Sequence, residues 1–268
     1  MVKAAPSAAL ILKDIRAALD ARVDGRSERS DRGERGDKSK GSASKSPLKA
    51  LGVRSSFVRS IARDIQTKVK PAIGYSVALA LVDAAIARKV REEILVTLEL
   101  LERQQKEFKS GLFSKVEKWS AVADDPEVAE VLGTRIAAPA LGIEPAKMAV
   151  VKKWAKLKSV GKRHLAVLAA TGLVTDGHRE AAAVLTLAEA LLDEQNPVMV
   201  GAVARLLRET TRVDAKAVQD FLFRRSIDGN PDILRAGSEN LDAARRAALI
   251  AKLEAQAALA SPLAAAER

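Results

Sequence analysis

From about Ser46 onward, apolar residues recur three and four positions apart, Ala and Leu dominate, and β-branched runs stay short. That period matches the 3.6-residue turn of an α-helix and not the two-residue alternation of a strand, so it restricts the chain to an all-α fold. Phe57, Ile61 and Ile65 form one stripe, Ile94, Leu98 and Leu101 another, and Val200, Val203, Leu206 and Leu207 a third. Each stripe is a face to be buried against a neighbouring helix.

Punctuation between the stripes divides this region into roughly a dozen helices of ordinary length. Ser55-Ser56 suits the cap of the first, and Lys70-Pro71 marks a turn. Asp125-Pro126, Asn196-Pro197 and Asp214 read as helix starts, because each offers a capping side chain, in two cases with proline behind it. The helix beginning at Glu127 is expected to end at Pro139, and Gly177 to Glu194 to form a single helix. Short connections imply antiparallel helix pairs. Pairs recurring at roughly 35 to 45 residues predict a HEAT-like α-solenoid with one continuous core and a concave basic groove.

Residues 1–24 read as an N-terminal helix, in which Asp14, Asp20 and Asp24 argue against a transit peptide. Residues 25–45, GRSERSDRGERGDKSKGSASK, hold no large apolar residue and are expected to be a disordered charged linker. The helical-repeat domain is then expected over 46–258 and a flexible tail over 259–268. No apolar run reaches the roughly 20 residues of a membrane span, so no membrane contact and a cytoplasmic location are expected, nucleoid-associated in a bacterium. The chain has no Cys and only His164 and His178, so neither a metal nor a cofactor is expected.

Charge narrows the partner. The chain has 45 Lys plus Arg against 34 Asp plus Glu, a formal net charge of +11, which favours a polyanion, nucleic acid ahead of a membrane surface. The most informative stretch is Trp154 to Ala170, WAKLKSVGKRHLAVLAA, with Lys156, Lys158, Lys162, Arg163 and His164 leading into an apolar helix. Lys162 and Arg163 at a helix start oppose the macrodipole, so they require an external anion or an acidic neighbour. Aromatic residues make up only 3% of the chain, too few for a surface that stacks successive bases. Trp119 and Trp154 stand at helical spacing from Val116 and Val150 and are expected to pack in the core.

Four segments in order carry a resemblance: LGVRSSFVRSIARDI from Leu51, KVEKWSAVADDPEVAEVL from Lys115, WAKLKSVGKRHLAVL from Trp154 and LLDEQNPVMVGAVARLLRE from Leu191. The set resembles the AlkD-like family of DNA alkylation repair proteins, HEAT-like solenoids that grip duplex DNA, over about Ser46 to Leu241. Glycosylases of that family use a Trp, an Asp four residues later, a second Trp on a later helix, and an Arg on phosphate. Positions four apart share a helix face, so carboxylate and indole can address one sugar as a cationic alkylated base departs. The resemblance puts Pro126 at the first Trp position, Glu130 at the Asp position and Arg205 at the second Trp position, while Arg163 matches the Arg. It therefore implies a phosphate contact at Arg163, a carboxylate displaced by about one methylene at Glu130, and no aromatic walls.

Charge and resemblance together predict a DNA-binding protein of alkylation repair with little or no catalysis. It is expected to grip double-stranded DNA, damaged or branched, as a monomer, through Lys153, Lys156, Lys158, Lys162, Arg163 and Arg205. Two other readings stand beside it. One is an N3/N7-alkylpurine DNA glycosylase with Glu130 as the catalytic acid; the other is a helical-repeat scaffold for protein ligands.

Overall fold

Several helix starts in this protein are set by side chains that satisfy the N–H groups a first turn leaves without partners. In the computed structural model, which describes residues 7–30, 47–68, 73–177 and 180–260, Asp125 Oδ1 accepts from the N–H groups of Glu127 and Val128, each at 3.2 Å. Asn196, Asp214 and Asn230 cap their helices in the same manner, and Ser159 Oγ accepts from Lys162 N–H at 3.2 Å. Ser55-Ser56 does not. The helix begins at Ser55 itself, so the pair lies inside the first turn and the Arg54 carbonyl accepts from Phe57 N–H at 2.9 Å.

The chain forms two compact units, Met1–Ala140 and Leu141–Arg268. The first holds α1 (Ala8–Ser30), α2 (Ser55–Lys68), α3 (Tyr75–Arg88), α4 (Arg91–Glu102), α5 (Leu112–Trp119) and α6 (Pro126–Val131). A π-helical turn, Leu132–Ala137, leads into α7 (Ala138–Ile143), within which the first unit ends and the second begins. The second continues with α8 (Met148–Trp154), α9 (Val160–Thr175), α10 (Ala181–Glu189), α11 (Pro197–Val213), α12 (Ala215–Arg224), α13 (Pro231–Gly237) and α14 (Ala243–Ala260). Apart from one isolated bridge between Lys49 and Val90, the described residues contain no β-structure. The fold is all-α, as the apolar period requires.

In the first unit α4 packs on α2, α3 and α6, and α1 on α2, α3 and α4. In the second, α9, α11 and α13 pack in succession, while α10 touches α9, α11 and α12, and α14 closes on α12 and α13. A helix thus meets its neighbour and the next but one, which is the packing of a helical-repeat stack. The capped ends of α9, α11 and α13 share one edge: Arg163 pairs with Glu194 just before α11, and Asn230 Nδ2 donates to the Glu194 carbonyl at 2.7 Å. Toward their other ends, Arg208 of α11 reaches Glu239 beyond α13 at 3.0 Å. These helices therefore run parallel.

Three boundaries depart from the reading of the sequence. Pro139 lies inside α7, because the π-helical turn before it widens the backbone where the ring would otherwise meet a carbonyl. The stretch from Gly177 to Glu194 is not one helix; Gly177 takes φ of +89° after α9, and α10 covers only Ala181–Glu189. The N-terminal helix continues through Gly25 to Ser30, into the segment expected to be linker. Residues 31–45, Lys70-Pro71, His178 and 261–268 lie outside the described residues.

Helix α1 belongs to the first unit's core. Ile11, Leu12, Ile15 and Leu19 are buried, and Arg16 Nη1 donates to Glu93 Oε1 at 3.0 Å. Glu93 is wholly buried and has Arg88 Nε 3.0 Å from its other oxygen. Its neighbour Glu92, equally buried, accepts from the N–H groups of Leu51 and Gly52, both at 2.9 Å. Both carboxylates sit in the first turn of α4, where the macrodipole favours negative charge. The hydrogen bond to Glu93, with help from Asp20, holds the Arg16 guanidinium above its ordinary pKa.

In the second unit, close approach of α11 and α13 depends on Gly237, where a Cβ would lie 2.8 Å from Leu207 Cδ1 and 3.1 Å from Leu207 Cβ. Gly237→Ala is therefore expected to cost about 1–3 kcal/mol of stability. Gly201→Ala, on α11 with open space around its Cβ, should instead add about 0.5–1 kcal/mol. Urea melts compare the two; unchanged midpoints for Gly237→Ala would show that the helices can separate at no cost.

Candidate nucleic-acid interface

Between Glu144 and Asp176 the chain has no acidic residue but seven Lys and Arg, so any neutralising charge must come from elsewhere in the fold or from a ligand. Lys152 and Lys153 occupy the last turn of α8, where cations complement the macrodipole. Lys156 and Lys158 stand in the turn that follows, and Lys162 in the first turn of α9. Lys153, Lys156 and Lys158 are exposed and Lys162 is half-buried; none of the four has a carboxylate partner among the described residues. They form one connected basic segment.

Arg163 is placed differently from its neighbours. Its Nε and Nη2 donate to the two oxygens of Glu194, the latter at 3.2 Å, in a bidentate pair that is mostly buried. Its Nη1 donates to the carbonyls of Leu157 and Lys158 at 3.0 and 2.8 Å. Four of the five guanidinium N–H groups are thus occupied within the protein. Of the two ways to offset a cation at this helix start, the fold uses the acidic neighbour. The consequence is structural: Arg163 ties the turn carrying Lys156 and Lys158 to the loop before α11.

The other predicted residues stand on other helices. Arg205 is exposed on α11, which packs on α9. Glu130 is half-buried on α6, in the other unit, with its carbonyl accepting from Thr134 Oγ1 at 2.6 Å. Pro126, four positions before it, occupies the first turn of α6.

Neither Trp offers an open face. Trp119 is 2% exposed and donates Nε1 to Asp83 Oδ1 at 2.7 Å, while Lys115 Nζ holds the other oxygen at 2.6 Å. Trp154 is 7% exposed. Counting four residues on from Trp119 reaches Ala123, so that starting point, unlike Pro126, supplies no carboxylate.

Sequence reasoning missed Glu194, which lies 31 residues from Arg163. It also missed the exposure of Leu157 and Val160, because apolar residues at helical spacing ordinarily turn inward. The need of Arg163 for an anion was the available signal for Glu194, but not for its position.

No described helix is long and apolar enough to cross a membrane. A search of curated proteins found no match. A family model described as DNA alkylation repair enzyme matches residues 35–241, leaving α1 and α14 outside it. With more than three quarters of its length matched, the chain belongs to the DNA alkylation repair enzyme family, which makes DNA its substrate or partner.

Proposed function

We propose that the protein binds duplex DNA through backbone phosphates, chiefly with the basic segment from Lys152 to Lys162, and that it does so without excising a base. The observation that carries this reading is the unneutralised charge of Lys153, Lys156, Lys158 and Lys162 on adjoining elements of a DNA alkylation repair family member. Arg205, exposed on the helix packed against α9, extends the contact. Arg163 shapes the surface through its two carbonyl contacts and keeps one N–H for a phosphate. Phosphates carry no sequence information, so binding is expected to tolerate changes of sequence.

Removal of a cationic base needs a carboxylate held against the sugar and walls that position the lesion. Glu130 supplies a carboxylate, but both indoles of the chain are buried. Release of 7-methylguanine from alkylated duplex is therefore expected to follow the spontaneous rate. Faster release that Glu130→Gln abolishes would instead establish a glycosylase. Binding itself is tested by salt: the dissociation constant should rise steeply from low to physiological ionic strength, and a flat response would overturn the phosphate reading.

A further inference from the structure

The turn between α8 and α9 combines three features. Leu157 and Val160, three positions apart, are both exposed, at 41% and 39%. The unpaired cations Lys156 and Lys158 flank Leu157 directly. The backbone beneath is fixed, since Arg163 holds the carbonyls of Leu157 and Lys158 and Ser159 caps α9. A mobile loop would lose entropy on insertion into a partner; this one is already ordered.

From this arrangement we infer that Leu157 and Val160 form a wedge that enters the minor groove of duplex DNA and partly unstacks a base step, while the adjacent lysines hold the phosphates on either side. Apolar side chains flanked by cations recur where proteins kink DNA from the minor groove, because the cations offset the cost of unstacking. Two aliphatic tips present little apolar area for holding a bilayer surface, which favours DNA over a membrane. The inference rests on the DNA-binding reading and adds to it a mode of engagement: the protein would favour steps that unstack easily, such as those beside a damaged base.

The test uses the full chain and a short duplex containing 2-aminopurine, whose fluorescence rises when it unstacks. Wild type is expected to raise that fluorescence at least about twofold on binding, and Leu157→Ser/Val160→Ser to abolish the rise while weakening binding by no more than about fivefold. Because both side chains are exposed, thermal melts of the double variant should match wild type. Four results overturn the wedge. Wild type that binds without a fluorescence rise, or a double variant that keeps the rise, leaves phosphate binding standing but removes insertion. Salt-sensitive capture by phosphatidylserine vesicles that the double variant loses, with duplex behaviour unchanged, assigns the tips to lipid. Wild type that does not bind the duplex at all removes both readings together.

Discussion

Glu194→Ala is expected to lower the stability of the unit Leu141–Arg268 by about 3 kcal/mol, the lower end for breaking a buried ion pair, because it leaves the Arg163 guanidinium enclosed without its countercharge. In a thermal melt this corresponds to a fall of about 6–10 °C. DNA affinity should fall as well, although residue 194 would touch no DNA, because the turn bearing Lys156 and Lys158 loses its anchor. Glu194→Gln should recover part of both, since the amide oxygen can still accept from Arg163. A melting temperature within 2 °C or so of wild type for Glu194→Ala would show that the pair does not organise this edge.

A chain beginning at residue 31 is expected to be the more severe change. It removes α1, which lies outside the family match yet buries Ile11, Leu12, Ile15 and Leu19 and supplies Arg16 to the wholly buried Glu93. At about 1.5–3 kcal/mol for each fully buried aliphatic side chain, the loss approaches the whole stability of an ordinary domain. The truncated chain should aggregate or melt more than about 15 °C below the full chain in differential scanning calorimetry. Equal melting temperatures would mean that α1 adds nothing to the unit. Helix α1 thus extends the family core rather than decorating it.

Helices with long apolar stripes were legible because burial demands the stripe: Phe57, Ile61 and Ile65 predicted α2, although only Ile61 and Ile65 are buried there and Phe57 stays partly exposed. Caps were legible where an Asp or Asn stands just before the first turn, as at Asp125, Asn196 and Asp214. Pro139 misled because its effect depends on the turn before it, and no local pattern announces a π-helical turn. The docking of α1 was hidden by its charge. Lys13, Asp14, Arg16 and Asp20 look like a solvated face, and the buried partner of Arg16 lies 77 residues away.

Within the basic segment, composition and helix electrostatics predicted where cations gather but not which of them would be neutralised. Arg163 was distinguished by resemblance and by its helix-start position; the fold engages it with Glu194 and two carbonyls, while Lys156 and Lys158 keep exposed, unpaired charge. The difference follows from side-chain chemistry. A planar guanidinium can bridge a carboxylate and two carbonyls at once, whereas an ammonium on a flexible stem is readily left in water.

The most direct measurement compares the salt dependence of duplex binding for wild type and for Lys156→Ala/Lys158→Ala/Lys162→Ala, with Lys13→Ala/Lys106→Ala/Lys216→Ala, which removes the same three charges elsewhere, as a control for net charge. If these lysines neutralise phosphates, the slope of log affinity against log salt should become shallower by about three in the triple variant, with affinity falling roughly equally for all sequences, and stay unchanged in the control. Equal slopes in wild type and triple variant would contradict the assignment of the DNA-binding surface to the segment joining α8 and α9.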